Sequence, residues 1–114
     1  MFFNRKRPDN QQPIQIVFKH HNKESGCLLI YNMGKTSIKS VVAILYNEIG
    51  EKFSYPSAPI SARSNDEVDF KRIAASNQLF FTGNLLKVEV LANGITLTFK
   101  PNENSMFDFI RSSN

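Results

Sequence analysis

Apolar and polar residues alternate along most of the chain between residues 14 and 100, and the alternation breaks at glycine, proline and asparagine. A period of two places successive side chains on opposite faces of a strand, so each alternating stretch predicts a β-strand. By this rule we predict seven strands, at 14–20, 27–32, 38–47, 52–55, 66–72, 86–92 and 95–99. The pattern contains no long helix, and it therefore predicts an all-β protein.

The stretch 28–50, LLIYNMGKTSIKSVVAILYNEIG, has the densest apolar content and supplies two central strands. In both strands neither face is clearly polar, which is the pattern of strands that are covered on both sides. One face of the second strand carries Leu28 and Ile30. The other faces of these two strands together form an apolar surface of Leu29, Tyr31, Val41, Ala43 and Leu45. This surface is covered either by a partner, by another copy, by the other sheet or by crossover loops.

Three turns carry residues that favour special backbone conformations. The pair Asn93-Gly94 lies between alternating apolar residues and tolerates positive φ at both positions, which predicts a type I′ hairpin. Gly50 is expected to take the left-handed position of the hairpin loop 48–51. Gly34 is expected to take a positive φ in the turn after the second strand.

The prolines place the fourth strand. Proline has no N–H to donate, so Pro56 and Pro59 are expected to end the pairing after Tyr55 and to put this strand at a sheet edge or in a crossover loop. Seven short strands, a tight hairpin and no long helix predict an antiparallel two-sheet sandwich of the immunoglobulin-like kind. At 114 residues the chain is one domain, which we place at residues 14–101.

Residues 1–13, MFFNRKRPDNQQP, have the composition of a flexible basic arm. The net charge of +4 is concentrated near this end, because residues 1–39 contain seven Lys and Arg and two acids. Arg5, Lys6 and Arg7 are either solvated or contact nucleic acid or another anionic surface. Three cations neutralise only about three phosphates, which gives weak attachment. In such a complex Phe80, Phe81 and Tyr55 would stack on bases; otherwise they are core aromatics.

The tail, residues 102–114, contains four apolar residues after the stop at Pro101, namely Met106, Phe107, Phe109 and Ile110. Ser105 and Asp108 have the spacing of a capping box, which predicts one helical turn. The alternation of Phe107 and Phe109 equally fits an extended segment. Because a seven-stranded core has no place for these residues, we expect the tail to dock on a partner, as an added strand or as a helical turn in a groove.

The sequence contains no catalytic signature. His20 and His21 are adjacent on a predicted strand and point to opposite faces, so they do not share one metal ion. Cys27 lies in an apolar strand, where a thiol is normally an inert small hydrophobe, and a single cysteine excludes an internal disulfide. We expect no enzyme activity, no cofactor and no small-molecule substrate. Neither a signal peptide nor an apolar stretch of spanning length is present, which favours a cytoplasmic or virion-associated protein.

A family resemblance rests on two groups of residues. They are Leu28, Ile30, Asn32, Gly34 and Ile38, followed by Phe81-Thr82-Gly83, Leu86-Lys87-Val88, Val90 and Asn93-Gly94. Over about residues 14–100 the chain resembles immunoglobulin-like sandwich modules of the CARDB type, and it is similar to soluble domains of archaeal surface-filament and archaellum stator proteins. The resemblance implies a unit for adhesion, spacing or assembly without catalytic residues. The chain departs from the filament proteins in having no N-terminal membrane helix.

These observations predict a noncatalytic structural or protein-interaction module, a component of a virion, a filament or an envelope-associated assembly. Its partner is another protein or another copy of the chain. The interaction residues are Leu29, Tyr31, Val41 and Leu45 on the strands and the four apolar residues of the tail. The alternative is a small nucleic-acid-binding protein that uses Arg5, Lys6 and Arg7.

Overall fold

A computed structural model of the chain describes residues 14–18, 26–57, 59–101 and 109–111. The described residues form eight strands and no helix. The strands are β1 (Ile14–Phe18), β2 (Cys27–Asn32), β3 (Val41–Asn47), β4 (Lys52–Ser57), β5 (Asn65–Asp69), β6 (Leu85–Ala92), β7 (Ile95–Pro101) and β8 (Phe109–Arg111).

The strands form two antiparallel sheets that face each other. The smaller sheet has the order β1-β2-β5, and the larger has the order β4-β3-β6-β7-β8. Strands β1-β2-β5 and β3-β6-β7 occupy the positions A-B-E and C-F-G of an immunoglobulin-like sandwich. The sheets approach each other along both sides, where β1 lies against β8 and β4 against β5. The predicted all-β, two-sheet antiparallel sandwich is confirmed, with the short β8 added to the seven expected strands.

The core lies between the two sheets. It is built from the inward-facing residues that the two-residue period predicts, since alternate side chains of a strand share one face. The smaller sheet contributes Ile14, Ile16, Leu28, Ile30 and Val68, and the larger contributes Val41, Ala43, Leu45, Phe53, Tyr55, Val88, Val90, Ala92, Leu97 and Phe99.

Two strands are shorter than predicted, because side chains capture backbone groups at their ends. The third strand begins at Val41 instead of Ile38, since Asn93 Oδ1 accepts from the backbone N–H groups of Lys39 and Ser40 at 3.1 and 3.2 Å. Ile38 forms only an isolated bridge, with Ile60. The fifth strand ends at Asp69 instead of Arg72, because the side chain of Asp69 accepts from the N–H of Lys71 and turns the chain.

The expectation that Pro56 ends pairing is wrong, whereas the expected edge position is right. β4 is an edge strand of the larger sheet and pairs with β3 as far as Ser57. Alternate residues of an edge strand direct their backbone groups away from the sheet. The N–H and C=O of Ser54 do so, since both bond to the loop after β5. Pro56 lies two residues after Ser54, so its backbone groups point outward in the same way. The N–H that proline lacks would therefore not have bonded to β3, and no bond between the two strands is lost.

Two of the three predicted turn conformations are confirmed. Asn93 and Gly94 have φ of 52° and 86°, as the type I′ hairpin requires, and Gly50 has φ of 90°. Gly34 does not have a positive φ. Its turn is held instead by Asn32, whose Oδ1 accepts from the Gly34 N–H at 2.9 Å.

Candidate interaction surface

The apolar surface predicted on the two central strands is not formed as one surface. β2 and β3 follow each other in sequence but belong to different sheets. Val41, Ala43 and Leu45 point inward and are 3%, 0% and 0% exposed, so the opposite sheet covers them. Leu29 and Tyr31 are half-buried and lie on the outer face of the smaller sheet, because they alternate with the inward-facing residues of β2. Only the latter two remain accessible to a partner.

The predicted tail contact is partly described. Phe109 and Ile110 lie in β8, whose backbone pairs with β7 of the same chain from Phe99 to Pro101. This part of the tail is therefore extended, not helical. It adds a strand to the larger sheet of its own chain. Met106 and Phe107 lie outside the described residues, as do Arg5, Lys6, Arg7, His20 and His21.

The three aromatics considered for base stacking have different environments. Tyr55 and Phe81 are 0% and 3% exposed and belong to the core. The ring of Phe81 lies 5.1 Å from that of Phe53 and 4.9 Å from that of Phe70. Phe80 is 52% exposed. Only Phe80 is available for contact with another molecule.

Exposed apolar residues are concentrated at one end of the sandwich. The described part of the chain has six large apolar side chains that are strongly exposed. Five of them lie on three segments: the β3–β4 hairpin, the loop between β5 and β6, and the first residues of β6. All three segments lie at the end of the sandwich where β3 finishes. We call this set the apolar end; it consists of Ile49, Ile73, Leu79, Phe80 and Leu86. The sixth residue, Met33, lies after β2, at the opposite end.

Asn47 fixes the two loops of the apolar end to each other. It is the last residue of β3 and is completely buried. Its Oδ1 accepts from the N–H groups of Ile49 and Glu51 at 3.1 and 2.9 Å, which shapes the hairpin. Its Nδ2 donates to the carboxylate of Glu51 at 2.7 Å and to the carbonyl of Thr82 at 3.0 Å. The side chain thus uses two donors and two acceptor sites, its full hydrogen-bonding capacity.

A second bond joins the same segments. A carboxylate oxygen of Glu48 accepts from the N–H of Asn84 at 2.6 Å. Gly83 has φ of 88°, and a Cβ atom there would lie 2.8 Å from that oxygen. Because φ is positive and the buried Asn47 Cβ would also lie 3.2 Å away, a glycine is favoured where the loop approaches the hairpin.

The loop between β5 and β6 is a closed, ordered unit. Its ends meet where the N–H of Phe81 donates to the carbonyl of Phe70 at 3.4 Å and the two rings pack together. Ala74 is buried at its centre, and the N–H of Ala75 donates to the carbonyl of Ser54 at 2.7 Å. A compact loop whose ends are close together is an Ω-loop, a type that is frequently functional. This loop presents Leu79 and Phe80 from a fixed backbone.

The same loop covers the open edge of β4. The side chain of Asn77 donates to the carbonyl of Lys52, and the Ser76 hydroxyl accepts from the N–H of Ser54. Arg72 donates to the carbonyl of Pro56 at 2.9 Å and, through its second nitrogen, to the carbonyl of Glu67 at 3.1 Å. These bonds occupy backbone groups that would otherwise accept an added strand. Contact at this side must therefore use side chains.

Two tyrosines have raised pKa values. Burial, together with a 2.6 Å hydrogen bond to the carboxylate of Glu89 and its charge, raises the pKa of Tyr46 to about 12. Burial also raises the pKa of Tyr55 to about 12, with smaller lowering effects from the Phe81 amide and the charge of Arg72. The Tyr55 hydroxyl has no hydrogen-bond partner among the described residues, since the Phe81 N–H donates to Phe70. Both features belong to the framework of the sandwich.

Two findings concern catalytic and metal-binding groups among the described residues. Ser57 donates to a carboxylate oxygen of Asp66 at 2.5 Å, a pair that joins β4 to β5, and no described histidine accompanies it. Within the described ranges no three His, Cys, Asp or Glu side chains are grouped so as to hold a metal ion. No helix of the described part is long and apolar enough to span a membrane.

Comparisons with profiles of known protein families, with curated protein sequences and with solved structures find no match to this chain. The geometry of the apolar end is therefore the main guide to its function.

The sequence pattern did not identify Ile49, Ile73, Leu79 and Leu86 as contact residues. A signal existed for Ile49, which is an apolar residue between Glu48 and Gly50 in a predicted hairpin loop. Ile73 and Leu79 likewise lay in a segment predicted to be a connection. Large apolar residues in polar loops were the informative feature, more than apolar residues on strands.

Proposed function

We propose that the protein is a noncatalytic structural module that joins to another copy of itself through the apolar end. It would act as a component of an assembly such as a virion, a filament or an envelope-associated complex. A unit of this kind is also what the resemblance to CARDB-type and archaeal filament domains implies. The observation that carries the proposal is that, among the described residues, five of the six strongly exposed large apolar side chains lie at one end.

The apolar end is suited to binding because its backbone is already ordered. Asn47 and the closing contact of Phe70 with Phe81 fix the loops that carry Ile49, Leu79 and Phe80. Binding by preordered loops avoids much of the conformational entropy that flexible loops lose. The side chains therefore keep most of the free energy that their burial provides.

The expected strength of one contact follows from the exposed fractions. Burying a large apolar side chain completely contributes about 1.5–3 kcal/mol. The five residues are 52–75% exposed, so covering them on one copy contributes roughly 4–9 kcal/mol on that scale. Association itself costs an estimated 4–15 kcal/mol in translational and rotational freedom. One such contact is therefore weak. Because a contact between two apolar ends closes at two copies, a larger assembly needs further contacts beside it.

The experiment compares two charge insertions at equal exposure. Phe80 at the apolar end and Met33 at the opposite end are both 52% exposed, so Phe80→Glu and Met33→Glu place the same charge in similarly accessible positions. Light scattering over a concentration series is expected to show a rising average molar mass for the original chain and for Met33→Glu. Phe80→Glu should remain monomeric.

The association should also persist in high salt, because apolar contacts are not screened. A chain that stays monomeric up to about 1 mM, a range in which weak contacts of this size are populated, contradicts the proposal. Equal association of the two variants contradicts the role of the apolar end.

A further inference from the structure

The smaller sheet has an outer face that is apolar in the middle and acidic along one side. Val17 and Leu29 are paired across β1 and β2, and Tyr31 lies further along β2. All three are half-buried. β5 adds Glu67 opposite Leu29 and Asp69 opposite Cys27, both exposed. We call this the acidic face.

Among the described residues the acidic face carries no cation. Its outward-facing positions are Gln15, Val17, Cys27, Leu29, Tyr31, Asn65, Glu67 and Asp69. The nearby Arg72 bonds to the carbonyl of Glu67, not to its carboxylate. Asp69 accepts from a backbone N–H, that of Lys71. Among the described residues neither carboxylate forms an ion pair.

The segment with the complementary chemistry is the arm of the same chain. Residues 1–13 lead directly into Ile14, the first residue of β1, which is an edge strand of this sheet. The arm combines the aromatic pair Phe2-Phe3 with the cations Arg5, Lys6 and Arg7. Aromatic side chains suit the apolar middle of the acidic face, and cations suit its acidic side.

The arm is long enough to reach. Strands lie about 4.8 Å apart and rise about 3.3 Å per residue, so Glu67 and Asp69 lie roughly 14 and 19 Å from Ile14 across the sheet. Seven extended residues, the separation of Arg7 from Ile14, span up to about 23–25 Å. A short tether also gives an effective concentration in the millimolar range, which favours the chain's own arm over that of a neighbour.

We propose that the acidic face is the docking surface for the chain's own basic arm, with Arg5, Lys6 and Arg7 at Glu67 and Asp69 and with Phe2 and Phe3 on Leu29 and Tyr31. The docked arm covers an apolar surface that is separate from the apolar end. A polyanion that binds the arm uncovers the acidic face. This inference does not depend on the proposed self-association.

The test is a charge exchange followed by amide chemical shifts. One variant carries Arg5→Glu, Lys6→Glu and Arg7→Glu, a second carries Glu67→Lys and Asp69→Lys, and a third combines them. In low salt each of the first two should lower the ratio of docked to free arm about three- to tenfold, as the loss of two or three exposed ion pairs implies. The amides of Leu29 and Tyr31 then move in the first variant. They also differ between the second and the combined variant, which share the two substitutions on the face, because only the combined variant docks its arm.

Controls separate this result from general charge effects. Lys52→Glu with Lys100→Glu reverses two exposed lysines of the other sheet and should leave the Leu29 and Tyr31 amides unchanged. Raising the salt concentration of the original chain should reproduce the shifts of the first variant. Identical low-salt positions of these amides in the original chain and the first variant overturn the proposal. So does a shift that disappears on tenfold dilution, since that indicates the arm of another copy.

Discussion

Replacing Asn47 with alanine should destabilise the sandwich and loosen the apolar end. The substitution removes four hydrogen bonds, three with neutral partners and one with the Glu51 carboxylate. Net contributions of about 0.5–1.5 kcal/mol for each neutral bond and 1.5–3 for the charged one sum to roughly 3–7 kcal/mol. Ile49, Glu51 and Thr82 are exposed, so water replaces part of this loss. We therefore expect a decrease of about 2–4 kcal/mol in the free energy of unfolding.

Urea unfolding measures this change. With an m-value of about 1–3 kcal/mol/M, the midpoint should fall by roughly 1–2 M. An unchanged m-value would show that only stability has changed. A decrease below about 0.5 kcal/mol, the range of ordinary surface substitutions, would refute the assigned role of Asn47.

Asn47→Asp provides a control of matched shape. It keeps an acceptor for the N–H groups of Ile49 and Glu51 but places a carboxylate oxygen where an N–H donates to the Glu51 carboxylate at 2.7 Å. Two carboxylates this close raise the pKa of one of them above its unfolded value. The deficit of this variant should therefore be largest near pH 7 and should shrink as pH falls through the raised pKa. The deficit of Asn47→Ala should lack that dependence.

Four further predictions concern the framework of the sandwich. Because Tyr46 and Tyr55 have folded-state pKa values raised from 10.0 to about 12, the unfolded chain loses these protons first, and stability should fall between pH 10 and 12. Measuring the absorbance of tyrosinate as a function of pH checks the raised pKa values. Tyr55→Phe removes a hydroxyl that has no partner among the described residues, so it should leave the melting temperature unchanged or raise it. Gly83→Ala should lower stability more than Gly50→Ala. Both positions have positive φ, but only at Gly83 would an added Cβ atom lie within 3 Å of an atom of the β3–β4 hairpin. Equal losses of stability in the two variants would contradict this. Arg72→Ala should cost about 1–2 kcal/mol in thermal unfolding. Lysine should not fully rescue it, because two separate nitrogens of the planar guanidinium bond the two carbonyls and lysine has one nitrogen; full rescue would argue against the bridge.

The sequence predicted the strands well, because a half-buried sheet imposes a two-residue period. The hairpin at Asn93-Gly94 was equally predictable, since few residue pairs accept its two positive φ values. Strand ends were less predictable. The strand end at residues 38–40 depends on the side chain of Asn93, which lies more than 50 positions away in the sequence. The strand end at residues 69–72 depends on the side chain of Asp69.

The candidate contact surface was not predictable from the same pattern. A period of two shows which residues share a face of one strand but not which sheet the strand joins, so Leu29 and Leu45 were grouped although they belong to different sheets. The pair Phe80-Phe81 gave no indication that one ring is buried and the other exposed. That difference arises from the closure of the loop on Phe70, a tertiary contact.

The most direct test of the account is to follow backbone amide signals of the chain at increasing concentration. If copies join through the apolar end, the amides of Ile49, Leu79 and Phe80 should shift progressively, and the amide of Met33, equally exposed with Phe80, should not. Shifts confined to the Met33 end, or no shift at any concentration, would contradict the central claim that the apolar end joins one copy to the next.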